Sequence, residues 1–393
     1  MTAKRIFSAL LATLLIIGTL SACDNAKEPE DTTVADTIPE SETLSHEEQK
    51  LADEKAYLDT VTYLDFELTG EDQPYFLGRW FEKEINGTSH MVTTTDGSHL
   101  YFLVKGATEL QVNFTCITKL ETPVFSYSID GVDPVRQRID EPTVTLPDDG
   151  FHTVRIIADG LTEHEAKWKG EEGFALSSIV PNTGYIAGIR PTDKVIFFYG
   201  DSITEGVVAL GLPNTSVGNS ATNAYAWHTA RELGAVSYPI GYGGSGLHNS
   251  GTFAPMSKAM EYLSETRKVA DSPVANITPD LIVINHGAND YIISTRRFGM
   301  LLQSTVEKLQ TKYPGVPIIY VVAFWECSNP AIIEQGQKID ELAPNFKNFH
   351  VIHTADWDLT YTDEVHPDVA GARKAGSKLA MEIRKIMGED FFA

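Results

Sequence analysis

Three near-continuous apolar runs, at residues 195–199, 281–284 and 318–322, constrain this chain more than any other feature. A strand with one face in water alternates apolar and polar residues. A strand that is apolar throughout has both faces covered, as in a parallel sheet between two helical layers. Helical stretches separate or follow the runs, at 221–233 and 296–312, and a last one at 369–387 sets Val369, Ala372, Leu379, Ile383 and Ile386 on one face. This alternation over residues 191–393 predicts a three-layer α/β/α domain with its site beyond the carboxyl ends of the strands.

Residues 63–190 have a different texture. Strand-forming residues cluster at 90–94, 100–105, 110–115, 124–129 and 152–158. Between them lie Asp96-Gly97, Asp130-Gly131 and Pro147-Asp148-Asp149-Gly150, which suit tight connections. No helix-period segment of useful length interrupts them, so an all-β sandwich of jelly-roll type is expected before the α/β domain. Cys116, at a strand end, reads as a buried free thiol rather than a disulfide partner of Cys327.

The N-terminus reads as an address. Lys4 and Arg5 precede an apolar run at 6–20, and the run ends in Leu20-Ser21-Ala22-Cys23. A positive start, a short apolar core and small residues at the end describe a secretory signal peptide over residues 1–22. The tetrapeptide resembles the bacterial lipoprotein box, which implies lipidation of Cys23 and anchoring to a membrane of the cell envelope. Asp24 then favours the inner membrane, facing the periplasm. Residues 23–62 read as an acidic tether: 24–59 hold 12 acidic and 3 basic residues, with few large apolar ones. Ser45-x-x-Glu48 suggests a capping box before a helical end containing Leu51, Ala52, Lys55 and Leu58.

The formal charge of −23 speaks against nucleic acid, since neutralising phosphates needs a basic face. Three cysteines in 393 residues exclude a disulfide scaffold or a zinc cluster.

Four blocks at strand ends carry the chemistry. Gly200-Asp201-Ser202-Ile203-Thr204-Glu205-Gly206 follows the first apolar run and would present a serine at the sheet edge. Gly241-Tyr242-Gly243-Gly244-Ser245-Gly246 and Asn285-His286-Gly287-Ala288-Asn289-Asp290 follow two further strands. Asp363-Glu364-Val365-His366-Pro367 precedes the last helix, and the three-residue spacing lets Asp363 hold His366. The glycines of the second block match a dinucleotide fingerprint, but the residues after Gly246 are loop-like where that fingerprint must open a helix. Ser245 is not a G-x-S-x-G nucleophile, because Leu247 occupies the second glycine position. His350 and His353 read as core or surface residues rather than metal ligands.

Together the four blocks resemble the SGNH (GDSL-type) hydrolase superfamily, which has a flavodoxin-like α/β/α fold. The resemblance implies Ser202 as nucleophile, His366 as general base and acid, and Asp363 as its orienting partner. It also implies an oxyanion hole from the N–H groups of Ser202 and Gly244 and the amide of Asn289. Asp290 is expected to brace the Asn289 loop. A β-sandwich before such a domain is similar to carbohydrate esterase family 2. So are Ala224-Tyr225-Ala226-Trp227, Asn289-Asp290-Tyr291 and His366-Pro367-Asp368-Val369-Ala370-Gly371. Val365 stands where that family often carries an aromatic residue.

The resemblance implies a serine esterase that removes acetyl groups from a glycan, with no metal or cofactor. Trp325, and after it Trp227, are the expected sugar contacts. A broader acyl esterase, lipase or thioesterase, an O-acetylesterase of peptidoglycan or exopolysaccharide, and a non-catalytic glycan-binding lipoprotein are the competing readings. Nothing in the sequence indicates an oligomeric state.

Overall fold

The computed structural model describes residues 44–248, 253–272 and 274–392. The signal peptide, Cys23 and the tether as far as residue 43 lie outside these. Residues 1–45 and 46–393 form separate units, and the second is the one described.

Two antiparallel sheets build the first half. A seven-stranded sheet runs Phe66–Leu68, Tyr185–Pro191, His99–Lys105, Phe151–Gly160, Val124–Ile129 and Val135–Arg138, with Tyr75–Leu77 also on His99–Lys105. A five-stranded sheet runs Trp80–Ile85, Thr88–Thr93, Phe174–Pro181, Glu109–Cys116 and Thr143–Thr145. Leu100, Phe102, Val104, Val112, Phe125, Val154, Ile156 and Phe174 fill the space between them. In the connection after Val124–Ile129, Asp130 and Gly131 have φ of +51° and +75°, the left-handed pair of a tight turn that the Val132 N–H closes on the Ile129 carbonyl at 3.2 Å.

The second half is a five-stranded parallel sheet. Numbered within this domain, its strands are β1 (Val195–Gly200), β2 (Val236–Gly241), β3 (Leu281–Asn285), β4 (Ile318–Val321) and β5 (Phe349–Ile352), in the order β2-β1-β3-β4-β5. Helices α1 (Ser202–Glu205), α2 (Tyr225–Leu233), α3 (Thr295–Lys312), α4 (Pro330–Leu342) and α5 (Val369–Met387) connect and cover it. Strands β1 and β3 are buried almost throughout, as their unbroken apolar runs require. The strand order reverses direction at β1, which opens the crevice where sites form in such sheets.

The two halves share a core. Leu100, Phe102 and Val104 face the sandwich interior, whereas Tyr101 and Leu103 of the same strand join the core of the α/β domain. Polar ties add to this contact. Buried Arg79 donates to the Ala259 carbonyl at 3.2 Å and to the Tyr242 hydroxyl at 3.3 Å. Asp159 accepts from the Thr222 N–H at 2.7 Å and pairs with Arg136 at 2.6 Å, while Arg136 also holds the Asn219 carbonyl.

The tether ends in the helix expected after Ser45, but this end is packed on the body rather than solvated. Residues His46–Leu58 form a helix docked on the body, with Glu54 and Leu58 buried and Tyr57 stacked on Phe151 at 5.4 Å. Tyr57 also donates to Asp130 at 2.8 Å. Its acidic, weakly amphipathic sequence hid this packing, because a few side chains at its end make the contact. Cys116 and Cys327 are both free, but Cys116 is exposed rather than buried. It lies at the end of its strand, where the sandwich core stops.

Candidate active site

β1 ends at Gly200, where an added Cβ would stand 1.9 Å from Thr204 Oγ1, so only glycine lets the chain turn here. Asp201 caps α1 by accepting the Ile203 N–H at 3.0 Å. This turn fixes Ser202, which is 7% exposed, at the carboxyl edge of the sheet.

His366 reaches the serine from the loop before α5. Its Nε2 lies 2.8 Å from Ser202 Oγ, and its Nδ1 lies 2.9 Å from Asp363 Oδ2. The other Asp363 oxygen accepts the N–H groups of Val365 and His366, each at 2.7 Å. Partial burial pushes the Asp363 carboxyl up. The hydrogen bonds from His366 and Val365 outweigh it and hold the group below the usual carboxylate range. Asp368 then caps α5 through the Gly371 N–H at 2.7 Å, which anchors the far end of the loop.

The second and third blocks converge on the same place. Asn289 Nδ2 donates to the Ser245 carbonyl at 2.9 Å and lies 3.4 Å from Asp201 Oδ2. Burial pushes the Asp201 carboxyl up to about 7. Gly244 has φ +70°, a left-handed conformation that turns the loop after β2. Asp290, fully buried, braces the second block: it accepts from Leu247 N–H and His248 N–H at 2.9 Å and from the His248 ring at 2.8 Å. This differs from the expected brace of its own loop. The cause is the approach of Gly246, where a Cβ would stand 2.8 Å from Asp290 Oδ1.

The two tryptophans separate. Trp325 is half-buried and its indole N–H donates to the Val365 carbonyl at 3.2 Å, which puts it against the histidine loop. Trp227 is 8% exposed, with the Arg155 guanidinium 4.2 Å above its ring, so it is covered and unavailable as a sugar platform. It belongs to the contact between the sandwich and α2. Trp357 packs on Phe324 in the core. His353 lies between Glu326 and Asp340.

Sequence reasoning missed one group. Glu205, 2% exposed at the end of α1, accepts the Gly243 N–H at 2.7 Å and contacts buried Lys167 of the sandwich. Lys167 lies between two sandwich strands and carries no motif, so only the folded chain reveals the pairing.

A serine hydroxyl bonded to a histidine that is bonded to a carboxylate can lose its proton to the ring as it attacks a carbonyl. The comparisons agree with that chemistry. Residues 198–374 match the model of the GDSL-like Lipase/Acylhydrolase family. The match covers most of the α/β domain, and the protein is a carboxylic ester hydrolase.

Among solved structures, a family two carbohydrate esterase from Clostridium thermocellum in complex with cellohexaose has 17% identity and a TM-score of 0.65, covering 81% of this chain and 100% of its own. One from Cellvibrio japonicus has 18% identity and a TM-score of 0.65, covering 84% and 98%. An acetyl xylan esterase from Butyrivibrio proteoclasticus has 16% identity and a TM-score of 0.61, covering 84% and 100%. These share the fold of both halves with the present chain. No curated protein sequence matches it.

Proposed function

We propose that this protein is a serine esterase that removes O-acetyl groups from a polysaccharide or oligosaccharide of the acetyl-xylan or acetyl-glucomannan kind. The observation that carries the reading is the Asp363–His366–Ser202 chain, with hydrogen bonds of 2.9 and 2.8 Å. Ser202 attacks the acetyl carbonyl while His366 takes its proton. His366 returns that proton to the departing sugar hydroxyl, leaving acetate esterified to Ser202. Water activated by His366 then releases it. The N–H groups of Ser202 and Gly244 and the Asn289 amide hold the oxyanion, each donor contributing about 3 kcal/mol. Asn289 is held for this by its bond to the Ser245 carbonyl.

The two-domain fold shared with carbohydrate esterases supports a glycan ester over a long-chain lipid ester. Trp325, beside the histidine loop, is the candidate sugar contact. Cys23 is the proposed lipid anchor to the cell envelope. The decisive experiment measures acetate release from acetylated xylan and glucomannan by the native chain and by Ser202→Ala. Release by the native chain, reduced at least a thousandfold in the variant, is expected from loss of the nucleophile (about 10⁶ in a comparable triad). Undetectable release from every glycan, with short nitrophenyl esters still cleaved, would replace the glycan reading with a general acyl esterase.

A further inference from the structure

Lys167 belongs to the sandwich by position in the chain, in the connection between Phe151–Gly160 and Phe174–Pro181. Its side chain is 0% exposed. The ammonium contacts Glu205 Oε1 and lies 3.6 Å from Asp96 Oδ2. Neither carboxylate side chain is more than 1% exposed. Glu205 ends the helix that begins with Ser202, and its second oxygen accepts the Gly243 N–H at 2.7 Å. Gly243 also lies against another sandwich residue: an added Cβ would stand 2.1 Å from Glu163 Oε1, so that side chain would have to shift.

Burying a carboxylate costs several kcal/mol unless a cation compensates it. Lys167 supplies that cation from outside the α/β domain. Beside it, Glu205 accepts the Gly243 N–H at 2.7 Å, and a bond to a carboxylate paired with a cation is about twice as strong as a neutral one. Without it, Glu205 must either take up a proton or draw away toward water, and each weakens the hold on Gly243. The next peptide is Gly244, and the one after it ends in the carbonyl that fixes Asn289. Two of the three proposed oxyanion donors therefore depend on the segment that Glu205 secures.

We propose that Lys167 is a positioning residue for ester hydrolysis: through Glu205 it holds the loop after β2 in the geometry that receives the oxyanion. The sandwich is then a working part of the catalytic centre. This rests on the reading of Ser202 and the oxyanion donors given above.

The test uses the full chain and a short nitrophenyl acetate ester, comparing Lys167→Met, Glu205→Gln, the double variant and Ser202→Ala. In Lys167→Met, kcat should fall about 10- to 100-fold, with KM changed less than about threefold, as for a donor shifted by a fraction of an ångström. The double variant should recover at least about tenfold over Lys167→Met, because the glutamine oxygen still accepts the Gly243 N–H and only Asp96, whose burial already raises its carboxyl to about 7, is left without the ammonium. A role confined to stability would lower the melting temperature while leaving kcat of the folded protein unchanged.

Native kcat in folded Lys167→Met, or a double variant no faster than the single one, overturns the proposal. Should Lys167→Met fail to fold, the double variant decides alone: activity within about tenfold of native supports the linkage, and any lower activity rejects it. If Ser202→Ala stays active, the esterase reading fails; if it is inactive and Lys167→Met is native-like, only the positioning role fails.

Discussion

At the residue scale, the site is defined by how each polar group is held. Ser202 is placed by a turn that needs glycine before it, and His366 by a carboxylate that also grips two peptide N–H groups. Asp201 is the unusual member. Burial raises its carboxyl to about 7, against about 4 in the unfolded chain. Between those values the native state binds more protons than the unfolded state, so stability falls as pH rises through the window and is flat above it. Asp201→Asn keeps an oxygen for the Ile203 N–H and removes the titration. Thermal melts should show this variant gaining on the native chain from pH 5 to pH 7, by about 1–3 kcal/mol at pH 8. A constant difference across that range would show that Asp201 is ionised throughout.

At the element scale, helices α2 and α5 cross where Gly376 meets the backbone of α2. An added Cβ would stand 2.5 Å from His228 Cβ and 3.0 Å from Thr229 N. Gly376→Val should destabilise the protein by about 1–3 kcal/mol, as overpacking of a tight contact does, read as a fall in the urea midpoint. An unchanged midpoint would mean that the helices separate without cost.

The bounds of α5 were legible from its one-sided periodicity, and β1, β3 and β4 from their apolar runs, because burial on both faces leaves an unmistakable composition. The Ser202, Asn289 and His366 blocks were equally visible, since each follows or precedes such an element. The short sandwich strands at 66–68, 75–77 and 143–145 were not. Three residues carry too little pattern to announce a strand, and their places are set by sheet neighbours distant in the chain. Lys167 was invisible for the same reason: its partner lies 38 residues away in another domain. Trp227 misled because a tryptophan's composition signal is the same under an arginine as under a sugar.

At the scale of the whole molecule, the sandwich and the α/β domain divide one hydrophobic core. Tyr101, Leu103, Ala187 and Ile189 from the sandwich are packed with β1 and β2 residues such as Phe197 and Val236. Removing the sandwich exposes that surface and strands Glu205 without its cation. A fragment of residues 191–393 should therefore lack a cooperative thermal transition and bind a hydrophobic dye. A sharp transition with native-like kcat would instead establish the α/β domain as self-sufficient.

The docked helix His46–Leu58 would also limit how far the enzyme reaches under the proposed anchoring at Cys23. If Cys23 is held in a membrane, the sequence between the anchor and this helix is residues 24 to 45, which is 22 residues. Fully drawn out, such a length spans at most about 75 Å. An enzyme so tied meets polymer strands passing close to the bilayer and misses those beyond. Its substrate is then selected by distance as well as by chemistry.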